Sequence, residues 1–324
     1  MIDPEVLWMW LSSAEGVGAK RANDLWDTLC KRGLQLEDFF HLNESDWASE
    51  FGLNARVVKG LAEQKDRMDE ITGLVESLDQ SGVQLLTIES PHYPQSLKAS
   101  LGRNAPVLLY GQGNCALLER SAAAIVGARD ASERGLRLAR SMGEGFARCG
   151  LVVISGGARG IDAEAHMGSL SASGATIIVL GCGIRRYRPP NALRELATPE
   201  STLFLSELPP KQTWDAGGAM GRNRIVCGLA SAIVIVESQE SGGTVHAAKK
   251  AFELGRPVFV IQFDEYDERS AGNPQLLRLG ARPLKAHFDP DDRTWRVDID
   301  PVVDAVEKGA DASSQPDQMD LLST

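Results

Sequence analysis

Between residues 123 and 262 the chain repeats one pattern: short, nearly unbroken apolar runs separated by longer stretches of mixed polarity. The apolar runs are 123–127, 151–155, 176–181, 201–207, 231–237 and 257–262. Runs of this length, without strict alternation, predict strands buried on both faces. The spacers 132–149, 161–173, 222–230 and 244–255 carry helical patterning. Strand and helix in alternation predict an α/β fold with a doubly wound, mostly parallel sheet. Upstream, residues 5–80 read as helical and predict a small N-terminal helical domain. Residues 81–120, with Pro91, Tyr93, Pro94 and one apolar run at 107–110, read as a connector. The predicted layout is 1–80 helical, 81–120 connector, 121–290 α/β domain, and 291–324 a short extension ending in a polar, acidic tail. That tail, 310–324, is expected to be disordered.

In a doubly wound sheet, ligands bind beyond the carboxyl ends of the strands. Four predicted turns lie there: 127–129, 156–160, 181–188 and 241–244. Each is small or basic. The second is the most informative: Gly156, Gly157 and Gly160 follow a strand, Arg159 sits among them, and a helix opens at Ile161. Unpaired N–H groups and the dipole at a helix start favour an anion, and an arginine fork adds a charge-assisted contact. The turn has neither the Lys-Ser/Thr of a P-loop nor the full dinucleotide-binding spacing, so a purely packing role stays open beside a phosphate role. Ser241, Gly242, Gly243 and Thr244 form a second such turn, equally readable as a capped helix start. Arg222, Asn223 and Arg224 precede another helix. The i, i+2 arginines point to different faces, one toward the crevice and one supporting it, or else pair internally with Glu207 or Glu237. Near the amino terminus, Gly16-Val17-Gly18 between two short helices, followed by Lys20 and Arg21, is similar to a helix-hairpin-helix; a helical module used for packing or self-association fits equally.

Composition narrows the classes. The 324 residues are 43% hydrophobic and 24% charged, as in soluble globular proteins. The net charge of −10 argues against a broadly basic nucleic-acid protein, while leaving room for a local basic groove. Five scattered cysteines without a C-x-x-C pair predict reduced thiols in a cytoplasmic protein, with no zinc site or disulfide frame. The first residues lack the basic segment of a secretory signal, and no apolar run approaches the ~20 residues of a membrane span. No metal or cofactor is expected. His166 and His246 lie on predicted helices and are read as structural. Asp162, in the first turn of its helix, suits a dipole-stabilising role. Should the chain be an enzyme, Asp162 and Glu207 are its candidate catalytic carboxylates, together with an acid of the 264–268 loop.

Six ordered stretches resemble the DNA-processing protein A (DprA, or Smf) family over roughly 90–285. The family's AIVGSR is similar to 124–129, with Ala128 for serine. Its SGxARGIDxxAH is similar to 155–166. Its GxGxxxxYPxxNxxL is similar to 181–193, with Arg188 for tyrosine. Its RNRxxxxLS is similar to 222–231, its ESxxxSGxxxTAxxAxExGRxV to 237–258 with His246 for threonine, and its GxxxLIxxGA to 272–281. The resemblance implies a Rossmann-like domain that binds single-stranded DNA, dimerises, and hands DNA to the recombinase RecA in transformation. It carries over Arg129, the 156–160 turn, Arg222, Arg224 and the 241–244 turn as DNA contacts. The chain departs from the family where Ala219-Met220-Gly221 replaces phenylalanine–proline, where 261–264 replaces a proline–glycine end, and where a winged-helix tail is usual. A second reading on related folds is an N-glycosidase acting on nucleotides or modified DNA, in defence against foreign DNA. Against it, the glutamate of that class falls on Ala247.

Overall fold

A computed structural model describes residues 1–290 and 294–314. The chain divides into two compact units, Met1–Gln112 and Gly113–Thr324. The first unit contains α1 (Pro4–Ser13), α2 (Ala19–Arg32), α3 (Leu36–His41), α4 (Glu44–Phe51), α5 (Ala55–Lys65) and α6 (Met68–Gln80), then β1 (Val83–Thr87), α7 (Gln95–Leu101) and β2 (Leu108–Gly113). Six successive residues of α1, Val6 to Leu11, are buried. A helix apolar on every side has to be enclosed. Trp10 is met by Phe40 and Trp47 at ring-centroid distances of 5.0 and 6.0 Å. The glycine turn does join two helices, α1 and α2. Its two following cations separate: Arg21 donates to the Gly16 carbonyl, while Lys20 is exposed.

The predicted connector is ordered. β1 and β2 pair antiparallel, Val83 opposite Gln112 and Thr87 opposite Leu108, and the unit boundary falls within the segment. Its elements are too short, and too interrupted by proline and glycine, for a period to show.

The second unit carries the predicted sheet. Its strands are β3 (Ala122–Val126), β4 (Val152–Gly156), β5 (Thr176–Val179), β6 (Thr202–Ser206), β7 (Ala232–Ile235), β8 (Val258–Gln262), β9 (Arg282–Asp289) and β10 (Thr294–Val297). They lie in the order β6-β5-β4-β3-β7-β8-β9-β10, parallel from β6 to β9, with β10 antiparallel at the edge. The helices are α8 (Glu133–Arg148), α9 (Ile161–Ser171), α10 (Asn191–Leu196), α11 (Ala216–Gly221), α12 (Asn223–Leu229), α13 (Gly243–Glu253), α14 (Asn273–Arg278) and α15 (Asp300–Ser314). One core joins the sheet to α8, α9 and α15 through Leu138, Met142, Phe146, Ala165, Val302 and Val306. The chain steps outward from β3 through β6, then returns to build β7 to β9 on the other side. The direction reverses between β3 and β7, the switch point where such sheets open a crevice.

β9 and β10 were not legible as strands, since their side chains are mostly exposed and make no apolar run. The expectation of disorder from residue 310 needs correction: α15 extends to Ser314. The rest of that tail, 315–324, lies outside the described residues.

His166 is fully buried on α9 and ties the sheet together. Its ring nitrogens lie 2.9 Å from the Gly156 carbonyl and 2.6 Å from Thr176 Oγ1. In the neutral ring Nε2–H donates to the Gly156 carbonyl and Nδ1 faces the Thr176 hydroxyl, which itself donates to the Val153 carbonyl at 2.8 Å. Burial pushes its pKa down to about 4. The unfolded chain therefore binds a proton that the native state refuses between about pH 4 and the ordinary value near 6.5. Stability present above that range is lost as pH falls through it, by about 3 kcal/mol at ~1.4 kcal/mol per unit. Urea midpoints should drop between pH 7 and pH 4.5, and His166→Gln should flatten that slope; an equal slope in the variant refutes the assignment.

Candidate functional site

The four turns expected to face a ligand all follow carboxyl ends of parallel strands, and three of them interlock. The Ala128 amide donates to the Glu237 carbonyl at 2.9 Å, joining the ends of β3 and β7. The Ile161 amide donates to the Ala128 carbonyl at 3.3 Å, joining the start of α9 to the same turn. Asn223 Nδ2 donates to the Gly243 carbonyl at 3.0 Å, joining α12 to the 241–244 turn. The side chain of Glu237 takes no part in the crevice. It is fully buried and accepts from the Ser132 amide at 2.8 Å and from the Ser132 hydroxyl, at the amino end of α8. A carboxylate there is favoured by the helix dipole.

Arg222 stands at the centre. Its guanidinium lies against Gly156 so closely that a Cβ there would fall 1.2 Å from Nη1. Nη2 reaches Asp162 at 3.5 Å and Nη1 the Val179 carbonyl at 3.3 Å. Nε is buried with no hydrogen-bond partner among the described residues. Arg224 pairs with Glu207. Burial pushes the Glu207 carboxyl above the usual carboxylate range, against the pull of Arg224. Both arginines of the 222–224 run are thus ion-paired, and Arg222 pairs with Asp162 rather than with the Glu207 or Glu237 named from sequence. The two candidate catalytic carboxylates, Asp162 and Glu207, are each held by an arginine.

The 156–160 turn is partly occupied by its own fold. Of the amides around it, Gly157 N donates to the Val179 carbonyl at 3.2 Å and Ile161 N to Ala128, which leaves those of Ala158, Arg159 and Gly160 without a partner among the described residues. Gly160 has φ +82°, and a Cβ on it would meet two carbonyl oxygens of the 127–129 turn. The space above Gly157 is filled by the Tyr187 ring, 2.8 Å from where a Cβ would stand. In the 241–244 turn, Ser241, Gly242 and Gly243 are exposed, and α13 begins at Gly243 behind the N-cap Gly242, without a side-chain cap.

These turns line one groove of two cavities, about 420 and about 330 Å³, which share Arg129, Ala158, Trp214 and Arg222 as walls. Arg129 sits 5.1 Å from the centre of the Trp214 ring. Arg129 and Arg159 are exposed and make no ion pair among the described residues. Trp214, 54% exposed, and Met220, 44% exposed, add apolar surface. Met220, singled out from sequence only as part of the Ala219–Gly221 departure from the family pattern, is a wall of the larger cavity. In the basic 181–188 loop, Arg186 and Arg188 donate to nearby backbone carbonyls. On the far side, the acidic loop after β8 is tied to α8 by Arg134, which bonds the Glu265 carbonyl at 3.0 Å. Among the described residues no cluster of His, Cys, Asp or Glu is placed to hold a metal ion, and no helix is long and apolar enough to cross a membrane.

Comparison with known proteins agrees with this geometry. The chain is 30% identical over 293 residues to Protein Smf of Synechocystis sp., covering 86% of this chain and 70% of that one. It is 31% identical over 208 residues to the DNA processing protein DprA of Bacillus subtilis, covering 63% and 69%. The X-ray structure of DNA processing protein A from Streptococcus pneumoniae superposes with a TM-score of 0.74 at 26% identity, covering 87% of this chain and 95% of that one. A structure of DNA processing protein A from Helicobacter pylori, described for its single-stranded DNA binding mode, gives 0.54 at 27% identity over 62% and 90%. The family profile of DNA recombination-mediator protein A matches residues 84–290, and the chain belongs to that family.

Proposed function

We propose that this protein binds single-stranded DNA in the groove along the carboxyl ends of β3, β4 and β7, and acts in DNA processing and recombination. The observation that carries the reading is the pair Arg129 and Arg159. Both are exposed on the groove wall without an acidic partner among the described residues, beside the unpartnered amides of 158–160 and the exposed 241–243 backbone. A strand gripped by arginines and backbone amides is held through its phosphates, with weak sequence preference. The relative from Helicobacter pylori, with its single-stranded DNA binding mode, supports the same ligand. Homodimerisation and transfer of the strand to RecA belong to this proposal and rest on the family alone. An N-glycosidase has less in its favour. Asp162 and Glu207 are each engaged by an arginine, so neither is free to move a proton without first breaking a partly or fully buried pair.

The contact roles divide accordingly. Arg129, Arg159, Ser241, Gly242, Gly243 and Thr244 form the touching surface. Gly156, Gly157, Gly160, Asn223, Arg224 and most of Arg222 hold it in shape.

Binding of a labelled oligonucleotide should favour the single strand over duplex and weaken as salt rises. Equal affinity for both forms, or salt-independent binding, refutes the reading. Arg129→Ala and Arg159→Ala should each weaken binding and lower the magnitude of the slope of log K against log salt by about one, with an unchanged melting curve.

Arg222→Ala should behave differently. It strands Asp162 in a buried site, and removing one partner of a buried pair costs about 3–5 kcal/mol. Thermal melts should therefore show a large loss of stability for Arg222→Ala and a partial recovery in the Arg222→Ala, Asp162→Ala double variant. A stable, non-binding Arg222→Ala would instead make Arg222 a direct phosphate contact.

A further inference from the structure

Trp214 is an exposed indole on a firmly held backbone. Asp215 beside it caps α11, accepting from the Gly218 amide at 2.7 Å and from Gln212 Nε2 at 3.3 Å. The Gly218 amide, then Gln212, holds the Asp215 carboxyl below its usual range, so the cap is charged at neutral pH. On the other side, the Gln212 carbonyl accepts from the Gly183 amide at 2.9 Å, and the Lys211 carbonyl accepts from Arg186 at 3.0 Å. The loop is thus fixed before and after the ring, while the ring itself stays 54% exposed. With Met220, also exposed and also a wall of the larger cavity, the ring adds apolar surface to a cleft that carries exposed arginines, and it is this combination that suits a ligand.

The ring also has a special position. It is a wall of both cavities, and Arg129 braces it from within the groove. The larger cavity is also lined by the apolar Ala219, Met220 and Ala247 and by Gly243 and Thr244. The smaller cavity is also lined by Gly157, Tyr187 and Arg159. Each cavity pairs an apolar surface with a cation or free amides, the two needs of one nucleotide unit. A guanidinium has five N–H donors, so Arg129 can lie on the indole and still reach phosphate oxygens.

We propose that Trp214, braced by Arg129, is a stacking post that parts two consecutive nucleotides of a bound single strand, one base in each cavity, with the linking phosphate passing Arg129. The inference rests on the single-strand reading above and adds a recognition of bases to a grip on phosphates. Indole stacking accepts any base, so the post discriminates unstacked strand from duplex rather than one sequence from another.

The test uses the full chain and two labelled strands of equal length, oligo-dT and an abasic oligomer, followed by fluorescence anisotropy. Trp214→Ala should weaken oligo-dT binding about tenfold, Trp214→Phe should stay within about threefold of the parent, and all three proteins should bind the abasic strand alike. A melting curve confirms that Trp214→Ala is folded. Unchanged oligo-dT affinity in Trp214→Ala overturns the post while leaving the single-strand reading intact. An equal loss for both strands also overturns it, since Trp214 would then serve only to place Arg129. If the parent protein binds neither strand, the single-strand reading falls and the post with it.

Discussion

The buried contact of Arg222 with Asp162 and Gly156 is the constraint on which the groove depends. One guanidinium, almost without solvent, reaches across from the amino end of α12 to the first turn of α9 and the end of β5. It can do so only because residue 156 has no Cβ. The same residue's carbonyl is met by His166, one helical turn beyond Asp162. The first glycine of the turn is therefore held from two sides, by an arginine at its α-carbon and an imidazole at its oxygen. The next amides of the turn, those of Ala158, Arg159 and Gly160, find no partner among the described residues. Taking two charges out of water is costly, and such pairs seldom add net stability. What this one contributes is position: it sets α9, α12 and the ends of β4 and β5 against one another.

Most of the sheet was legible before any coordinates. Strands β3 to β8 are buried on both faces, and burial on both faces leaves an apolar run that needs no partner to be recognised. The four turns were legible too, because close backbone approach at residues 156 and 160 demands glycine. What escaped is whatever depends on distance through space. Asp162 and Arg222 are 60 positions apart, and no local pattern links them. The same holds for Arg224 and Glu207, where sequence reasoning named a pairing among alternatives without a means to choose. β9 and β10 escaped as well. Their residues make no apolar run, and the contacts that hold the pair, such as Phe288 against Trp295 at 5.5 Å, join positions no local pattern links. Trp214 reads from sequence as an aromatic in a loop; only the fixing of that loop at Gln212 and Asp215 makes it a feature of the groove.

The division between exposed and buried cations around the groove follows a simple rule in this molecule. Cations with a carboxylate partner, the buried Arg222 and the half-buried Arg224, fix helices. Cations without one, Arg129 and Arg159, lie on the surface. Motif position does not separate them, because the 222–224 run and the 127–129 and 156–160 turns are equally prominent in sequence. Burial separates them, and it follows from which helix covers which strand end.

Arg129 and Arg159 are two exposed positive charges on a chain whose net charge is −10. A polyanion approaching from afar meets a repulsive field, and only within about one Debye length, ~8 Å at physiological ionic strength, does the local attraction prevail. Added salt therefore acts in two opposite ways: it softens the distant barrier to encounter, and it loosens the contact once made. Capture in this groove is a short-range event, slow to begin in dilute buffer and quick to end in concentrated salt. The rates of arrival and departure, measured separately, would part these two effects where a single equilibrium constant blends them.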